Sequence, residues 1–203
     1  MSYADRADVI VLALPRGGVP VGYEVALALR APLDVLIVRK LGAPWNEEMA
    51  IGAVASGGAF VLDTPLIQQI QIRPADIEHV VAAELEELER RERVYRRRRP
   101  WPTLRDRIVI VVDDGVATGA TMTAAVKAVR QQSPSRIVVA TPVASATAYH
   151  VLQHVADECV ALIVSDLFYG VGMYYRDFSQ TTDAEVLTLL ERATQHVSPS
   201  AAL

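Results

Sequence analysis

The chain has 203 residues, 51% of them hydrophobic, with 20 Lys and Arg against 24 Asp and Glu for a formal charge of −4. That length suits one domain, residues 1–203, with a sizeable core. The mild acidity argues against a nucleic-acid binder, which needs a basic surface, and no apolar run reaches the roughly 18 residues that span a bilayer, so no membrane contact is expected.

The N-terminal M-S-Y-A-D-R-A-D lacks the charged-then-apolar order of a signal peptide. The lone cysteine, Cys159, sits in the apolar run Cys159–Val164 and is expected as a buried thiol without a disulfide partner, which suits a reducing cytoplasm.

Val9–Leu14 reads as a first buried strand, followed at once by P-R-G-G-V-P from Pro15 to Pro20 and a helix over Val21–Leu29. Arg16 is a cation on a loop to which Gly17 and Gly18 lend unusual backbone freedom. Such a strand, Gly loop and helix suit an anion, or form an ordinary βα turn.

Leu33–Val38 is a second strand, ending in Arg39 and Lys40, where a parallel strand would aim two cations into the ligand crevice of an α/β sheet. Leu41–Met49 reads as a loop with an exposed Trp45, and Glu47 and Glu48 are acids on it. A hairpin follows, Ala50–Ala55 and Ala59–Leu62 around Ser56-Gly57-Gly58.

Pro74–Arg99 is the clearest helix. Pro74 suits its first turn, and Ile77, Val81, Leu85 and Leu88 share one face. Acids precede bases along it, allowing i,i+4 pairs such as Glu87–Arg91 and Glu89–Arg93. The basic block Arg96–Arg99 reads as a solvated helix end or subunit contact ahead of a phosphate or RNA contact. Pro100-Trp101-Pro102 ends the helix.

The stretch V-I-V-V-D-D-G-V-A-T-G-A-T-M, Val109 to Met122, organises the chain. Four apolar β-formers end in two carboxylates, Asp113 and Asp114. A loop of small residues then opens a helix at Thr121 or Thr123. A strand, tight loop and helix N-terminus form an anion site of outward N–H groups. Gly119 permits close backbone approach, Ala117 and Ala120 add little bulk, and Thr118 and Thr121 offer hydroxyl donors. The acids would repel a phosphate unless they faced something else; vicinal ribose hydroxyls and a divalent cation are the two natural partners. The residues thus point to a sugar bearing a 5-phosphate, against the plainer reading of a strand-end turn with a capped helix.

Helix Met122–Gln131, strand Arg136–Thr141, helix Ser145–Val155 and strand Cys159–Val164 complete an alternation that predicts a parallel sheet between helix layers. Ser165–Gln180 differs: Phe168, Tyr169, Tyr174, Tyr175 and Phe178 are five of the chain's 7 Tyr and 3 Phe. Such a loop stacks a planar base, or is a plug or dimer contact. A closing helix, Asp183–His196, is capped by Thr182 or Asp183, and Ser198–Leu203 is expected to fray. No Ser/His/Asp or Cys/His arrangement supports a hydrolase. His79, His150, His154 and His196 fall on predicted helices without metal-ligand spacing.

Val109–Thr121 resembles the 5-phosphoribosyl-1-pyrophosphate (PRPP) signature of type I phosphoribosyltransferases. The resemblance covers about Val9 to Val164, with two specific motifs. It implies a three-layer α/β/α fold with a mostly parallel central sheet and a hairpin and long-helix excursion at about 41–103. It assigns Asp113 and Asp114 to the ribose hydroxyls and Ala117, Thr118, Gly119, Ala120 and Thr121 to the 5-phosphate. Arg16, Gly17 and Gly18 match the pyrophosphate loop, and Arg39 and Lys40 a basic pair across the site. Mg2+ is the implied cofactor, with Asp113 and Asp114 as its candidate ligands; Arg16, Lys40, Asp113 and Asp114 are the catalytic candidates. The implied reaction moves the phosphoribosyl group of PRPP to a nitrogen nucleophile and releases pyrophosphate, in a cytoplasmic homodimer. Few residues precede the first strand, so a hood over the acceptor is expected from 165–180 or the hairpin. Gly115 departs from the family's usual aliphatic residue. Ala117 stands where 6-oxopurine enzymes place an acid, so hypoxanthine and guanine are not expected acceptors. The rival is a non-catalytic PRPP- or nucleotide-binding regulator acting through a partner, with Arg90–Arg99 as its surface.

Overall fold

The computed structural model describes residues 3–97 and 99–196, Glu48 by its backbone alone. Five parallel strands form the central sheet in the order β2-β1-β6-β7-β8: β1 (Val9–Ala13), β2 (Leu33–Val35), β6 (Ile108–Val112), β7 (Arg136–Ser145) and β8 (Glu158–Ser165). β1 and β6 lie side by side, Val9 opposite Ile108 and Ala13 opposite Val112, and all ten residues are buried. Burial on both faces is why these strands read as unbroken apolar runs.

Alternate residues of β1 and β6 feed two cores. Val9, Val11, Ile110 and Val112 pack under α1 (Gly18–Leu29), α3 (Pro74–Arg96) and α6 (Asp183–His196), which contributes Val186 and Leu190. Ile10, Leu12, Val109 and Val111 face α4 (Ala120–Arg130) and α5 (Ala146–Val155), through Met122, Val126, Ala148 and Leu152. The expected three layers are present.

The excursion holds a second sheet, antiparallel in the order β3-β4-β5: β3 (Val38–Ala43), β4 (Asn46–Ala55) and β5 (Ala59–Leu62), followed by the short α2 (Thr64–Gln69). The expected hairpin is there, with Ala55 opposite Ala59 across a one-turn 3-10 segment at Ser56–Gly58. Two expectations are corrected. The second strand is not continuous over 33–38: β2 stops at Val35, and β3 begins at Val38 in the other sheet. Ser56 fastens the crossing, its N–H donating to the Ile37 carbonyl and its hydroxyl accepting from the Ile37 N–H. Leu41–Met49 is not a loop but the end of β3, a turn at Pro44-Trp45 and the start of β4, with the register slipping around Gly42.

α3 ends at Arg96, short of Arg99, where Arg97 turns to φ 54°. Leu88 is buried on its inner face as expected, whereas Leu85 is exposed. Cys159 is only partly buried, at the sheet edge rather than in the core, and burial pushes its thiol up to about 11. Thr182 caps α6 through a reciprocal pair, its hydroxyl accepting from the Glu185 N–H while Glu185 accepts from the Thr182 N–H. The tail 198–203 and Arg98 of the basic block lie outside the described residues.

Candidate active site

The first loop is cut short by its neighbours. α1 starts at Gly18, earlier than Val21, because the chain turns directly from β1 into the helix. A Cβ on Gly17 would overlap Asp114 Oδ2, and one on Gly18 would lie 2.8 Å from the Val112 carbonyl oxygen and 3.1 Å from Asp113 Oδ1. The glycines are needed because the Gly17-Gly18 turn rests on the two acids at the end of β6. The two loops singled out in the sequence thus lie against each other at the C-terminal edge of adjacent parallel strands, where α/β sheets bind ligands.

Asp113 and Asp114 follow Val112 without a break. Asp113 Oδ1 accepts from the Asp114 N–H at 2.9 Å. Burial first, and the neighbouring Asp114 charge second, push the Asp113 carboxyl up to about 7, against the pull of that N–H. Burial also raises Asp114, opposed by the Gly115 and Asp114 N–H groups. Two carboxylates held this close and this dry call for a ligand with hydroxyl donors or a cation.

The loop that follows is pinned from outside. Val116 bridges to Ala144 of β7, its N–H donating to the Val143 carbonyl. Ser145 caps α5 by accepting from the Ala148 N–H and donates its hydroxyl to the Ala117 carbonyl at 2.6 Å. Gly119 stands at φ 79° as the N-cap of α4, a left-handed conformation suited to glycine. Thr118, Ala120 and Thr121 are exposed around this helix start, with no side chain capping it apart from a long 3.4 Å contact from the Ala120 N–H to Thr118 Oγ1. The first-turn N–H groups of α4 therefore remain for an anion.

Gly115, the departure from the family pattern, has a spatial cause: a Cβ there would lie 2.5 Å from Val171 Cγ1. Val171 belongs to a short 3-10 turn, Val171–Tyr174, in the aromatic loop. That loop lies over the acids, with the Tyr175 hydroxyl donating to the Asp114 carbonyl at 2.6 Å. Burial and the two aspartates push Tyr175 up to about 12, so it keeps its proton and remains a donor. Tyr175 and Phe178 sit 5.2 Å apart. With Asp177, Gln180, Arg16 and Asp114 they line a cavity of about 600 Å3.

Arg16 stands at the rim, its Nη1 3.8 Å from Asp183 Oδ1, and Asp183 also accepts from the Tyr95 hydroxyl at 2.6 Å. Of the two caps that the sequence offers for α6, Thr182 is the one used; Asp183 instead reaches a loop at the opposite end of the chain, for which no local pattern exists. Arg39 and Lys40 are placed differently from the expectation. They lie within β3 of the antiparallel sheet, paired opposite Val54 and Ala53, rather than at the end of a parallel strand. Arg39 is half-buried and bonded to Glu84 of α3 at 2.6 Å. Glu47 is exposed on β4, and the Glu48 side chain lies outside the described residues. The four histidines fall on helices as expected, and no cluster of three or more His, Cys, Asp or Glu suited to a metal occurs among the described residues.

A family model described as phosphoribosyl transferase domain matches residues 1–178, which includes both loops and the aromatic segment as far as Phe178. The chain belongs to the phosphoribosyl transferase domain family. Two Mycobacterium tuberculosis proteins, from strains CDC 1551 and H37Rv and provisionally named phosphoribosyl transferases, are each 43% identical over 195 residues. The match takes in 96% of this chain but 44% of those relatives, so the chain spans less than half their length. The crystal structure of TT1426 from Thermus thermophilus superposes with a TM-score of 0.83 at 46% identity, covering 91% of this chain and 88% of that one. In this family member no helix of the described residues is long and apolar enough to cross a membrane.

Proposed function

We propose that residues 1–203 act as one phosphoribosyltransferase unit, moving the 5-phosphoribosyl group of PRPP to a nitrogen nucleophile with release of pyrophosphate. The observation that carries this reading is the seating of the Gly17-Gly18 turn on Asp113 and Asp114. A ligand at the paired acids is thereby flanked by two anion-binding loops, which suits a sugar phosphorylated at both ends. Asp113 and Asp114 take the ribose hydroxyls, Ala117 to Thr121 the 5-phosphate, and Arg16 with Gly17 and Gly18 the pyrophosphate.

Mg2+ fits this donor set. Two adjoining carboxylates make an incomplete cage, and Mg2+ is commonly bound by one or two carboxylates together with substrate phosphates and water. When bound, it neutralises diphosphate charge. The chain's own part is electrostatic: Arg16 and the loop N–H groups meet charge that grows on the departing pyrophosphate, while the acids hold the ribose still. Lys40 remains a candidate for the same end of the site. The aromatic loop serves as the hood, with Tyr175 and Phe178 offering flat surfaces beside Asp114 for a planar acceptor. A reducing cytoplasm suits the single cysteine.

Screening nucleobases and amines for PRPP-dependent pyrophosphate release tests the reading. Turnover is expected with an acceptor other than hypoxanthine or guanine, because Ala117 supplies no acid–base group. Turnover of either at about one per second or faster would overturn that exclusion, and Asp177, which lines the cavity, would then be the acid to test. Asp113→Asn with Asp114→Asn is expected to abolish PRPP binding with the fold intact; unchanged calorimetric affinity would sink the assignment. PRPP binding without release from any acceptor would favour the regulatory reading.

A further inference from the structure

Beside the pyrophosphate loop lies a second, smaller cavity of about 220 Å3. Its lining includes Arg16 and Pro15 of that loop, Arg90, Arg91 and Tyr95 of α3, and Asp183 of α6. Arg16 also lines the larger cavity that contains Gly17 and Asp114, so the two spaces share this side chain as a wall. Arg90 and Arg91 are adjacent on α3, and Glu87 holds both. Its Oε2 accepts from Arg90 Nε at 2.7 Å and its Oε1 from Arg91 Nε at 2.7 Å and Arg90 Nη2 at 3.0 Å. These bonds drive the Glu87 carboxyl down to about 2, so the clamp stays ionised at any physiological pH. They occupy the Nε edges and leave the Nη1 group of each arginine without a hydrogen bond among the described residues. Asp183 accepts from Tyr95 and faces Arg16. Three guanidiniums against the carboxylates of Asp183 and Glu87 leave one net positive charge beside a loop built to hold a phosphate.

Resting on the function proposed above, we infer that Arg90 and Arg91 complete the pyrophosphate end of the site, taking the terminal phosphate of PRPP in the cavity they share with Arg16. Mg2+ would offset part of the diphosphate charge, but among the side chains of the Pro15–Gly18 loop Arg16 alone brings a charge, and the backbone N–H groups of Gly17 and Gly18 add partial charges only. Planar guanidiniums fixed at one edge present their remaining N–H groups as a fork, which matches phosphate oxygens better than a mobile ammonium does. The inference also gives the excursion a purpose: it carries α3 past the Pro15–Gly18 loop, so that two arginines distant in the chain meet Arg16. It gives the acidic and basic order along α3 a second use, since Glu87 serves as the clamp for both cations.

Titration calorimetry of the full chain with pyrophosphate, PRPP and ribose 5-phosphate tests this. Arg90→Gln with Arg91→Gln is expected to weaken pyrophosphate and PRPP by about tenfold or more while leaving ribose 5-phosphate within about twofold. Arg90→Lys with Arg91→Lys keeps the charge and the helix but not the fork, and is expected to lose about three- to tenfold for the same two ligands. This second pair keeps the test open if the glutamines unfold the protein. Wild-type affinities retained by both variants would overturn this inference and leave the proposed function standing. Equal losses for all three ligands would overturn it too, showing a general structural role. Wild-type protein that bound none of the three would overturn the proposed function, and this inference with it.

Discussion

Asp113 titrates where an unfolded aspartate does not. Its folded carboxyl lies at about 7 against an ordinary 3.8, because burial and then the Asp114 charge disfavour ionisation. A raised pKa means that the folded chain takes up this proton more readily than the unfolded one. Its contribution to stability is therefore complete below about pH 4 and is lost as pH rises to about 7. Above that, the fold holds an ionised carboxylate that water would solvate better. Asp113→Asn removes the titration while keeping an oxygen for the Asp114 N–H. It is expected to raise the melting temperature at pH 8 by roughly 2–4 °C, about 1 kcal/mol for a chain of this size, and by less at pH 5. A difference that does not change with pH would show that Asp113 does not titrate in this range. Binding moves the other way, so the same substitution should stabilise the protein while weakening its hold on the ribose. That opposition is the mark of a group placed for function rather than for the fold.

At the scale of elements, the aromatic loop and the signature loop hold each other. Tyr175 donates to the Asp114 carbonyl, Val171 fills the space beside Gly115, and Ser145 ties Ala117 to the start of α5. Tyr175→Phe removes one half-buried donor from this arrangement, at a cost of about 1 kcal/mol. It is expected to lower the melting temperature by roughly 2–4 °C and to speed amide hydrogen exchange over residues 113–116 and 171–178. Exchange that quickens only at the chain's ends would show that this bond does not hold the hood. The ion pairs predicted along the long helix are present, Glu87–Arg91 and Glu89–Arg93 at 2.7 and 3.5 Å. The Glu89–Arg93 pair is exposed and contributes little to stability, whereas Glu87 and Arg91 are half-buried.

Across the whole molecule, the β8 edge of the central sheet stands out for its exposed apolar side chains. β8 pairs only with β7, and Leu162, Ile163 and Val164 are 82%, 47% and 45% exposed, with Leu167, Tyr169 and Met173 exposed beyond them. From Cys159 to Val164 the strand carries no charge and no proline, the usual guards of an open edge. We propose a homodimer through this edge, because an uncharged edge can pair with its own copy. Leu162→Glu, which introduces a charge without touching the core, is expected to turn a dimer into a monomer in light scattering; an unchanged mass would place any interface elsewhere.

The sequence by itself determined the parallel sheet and the residues from which the candidate site is proposed. β1 and β6 are buried on both faces, so their apolar runs needed no partner to be recognised, and the carboxylates and glycines that follow are local in the chain. It also determined α3, whose charge order and apolar stripe repeat at helical spacing. The path from β2 to β3 was decided only in the tertiary structure. Val35 and Val38 look alike as strand residues, and only the Ser56 bonds to Ile37 send the chain into a second sheet, carrying Arg39 to Glu84 instead of to a strand end. The same holds for Gly115, whose missing Cβ is explained by Val171, and for Asp183, whose partners Arg16 and Tyr95 lie far away in the chain. Local pattern reports what a residue does to its own backbone; which distant side chain fills the remaining space depends on packing, and packing exists only once the chain has folded.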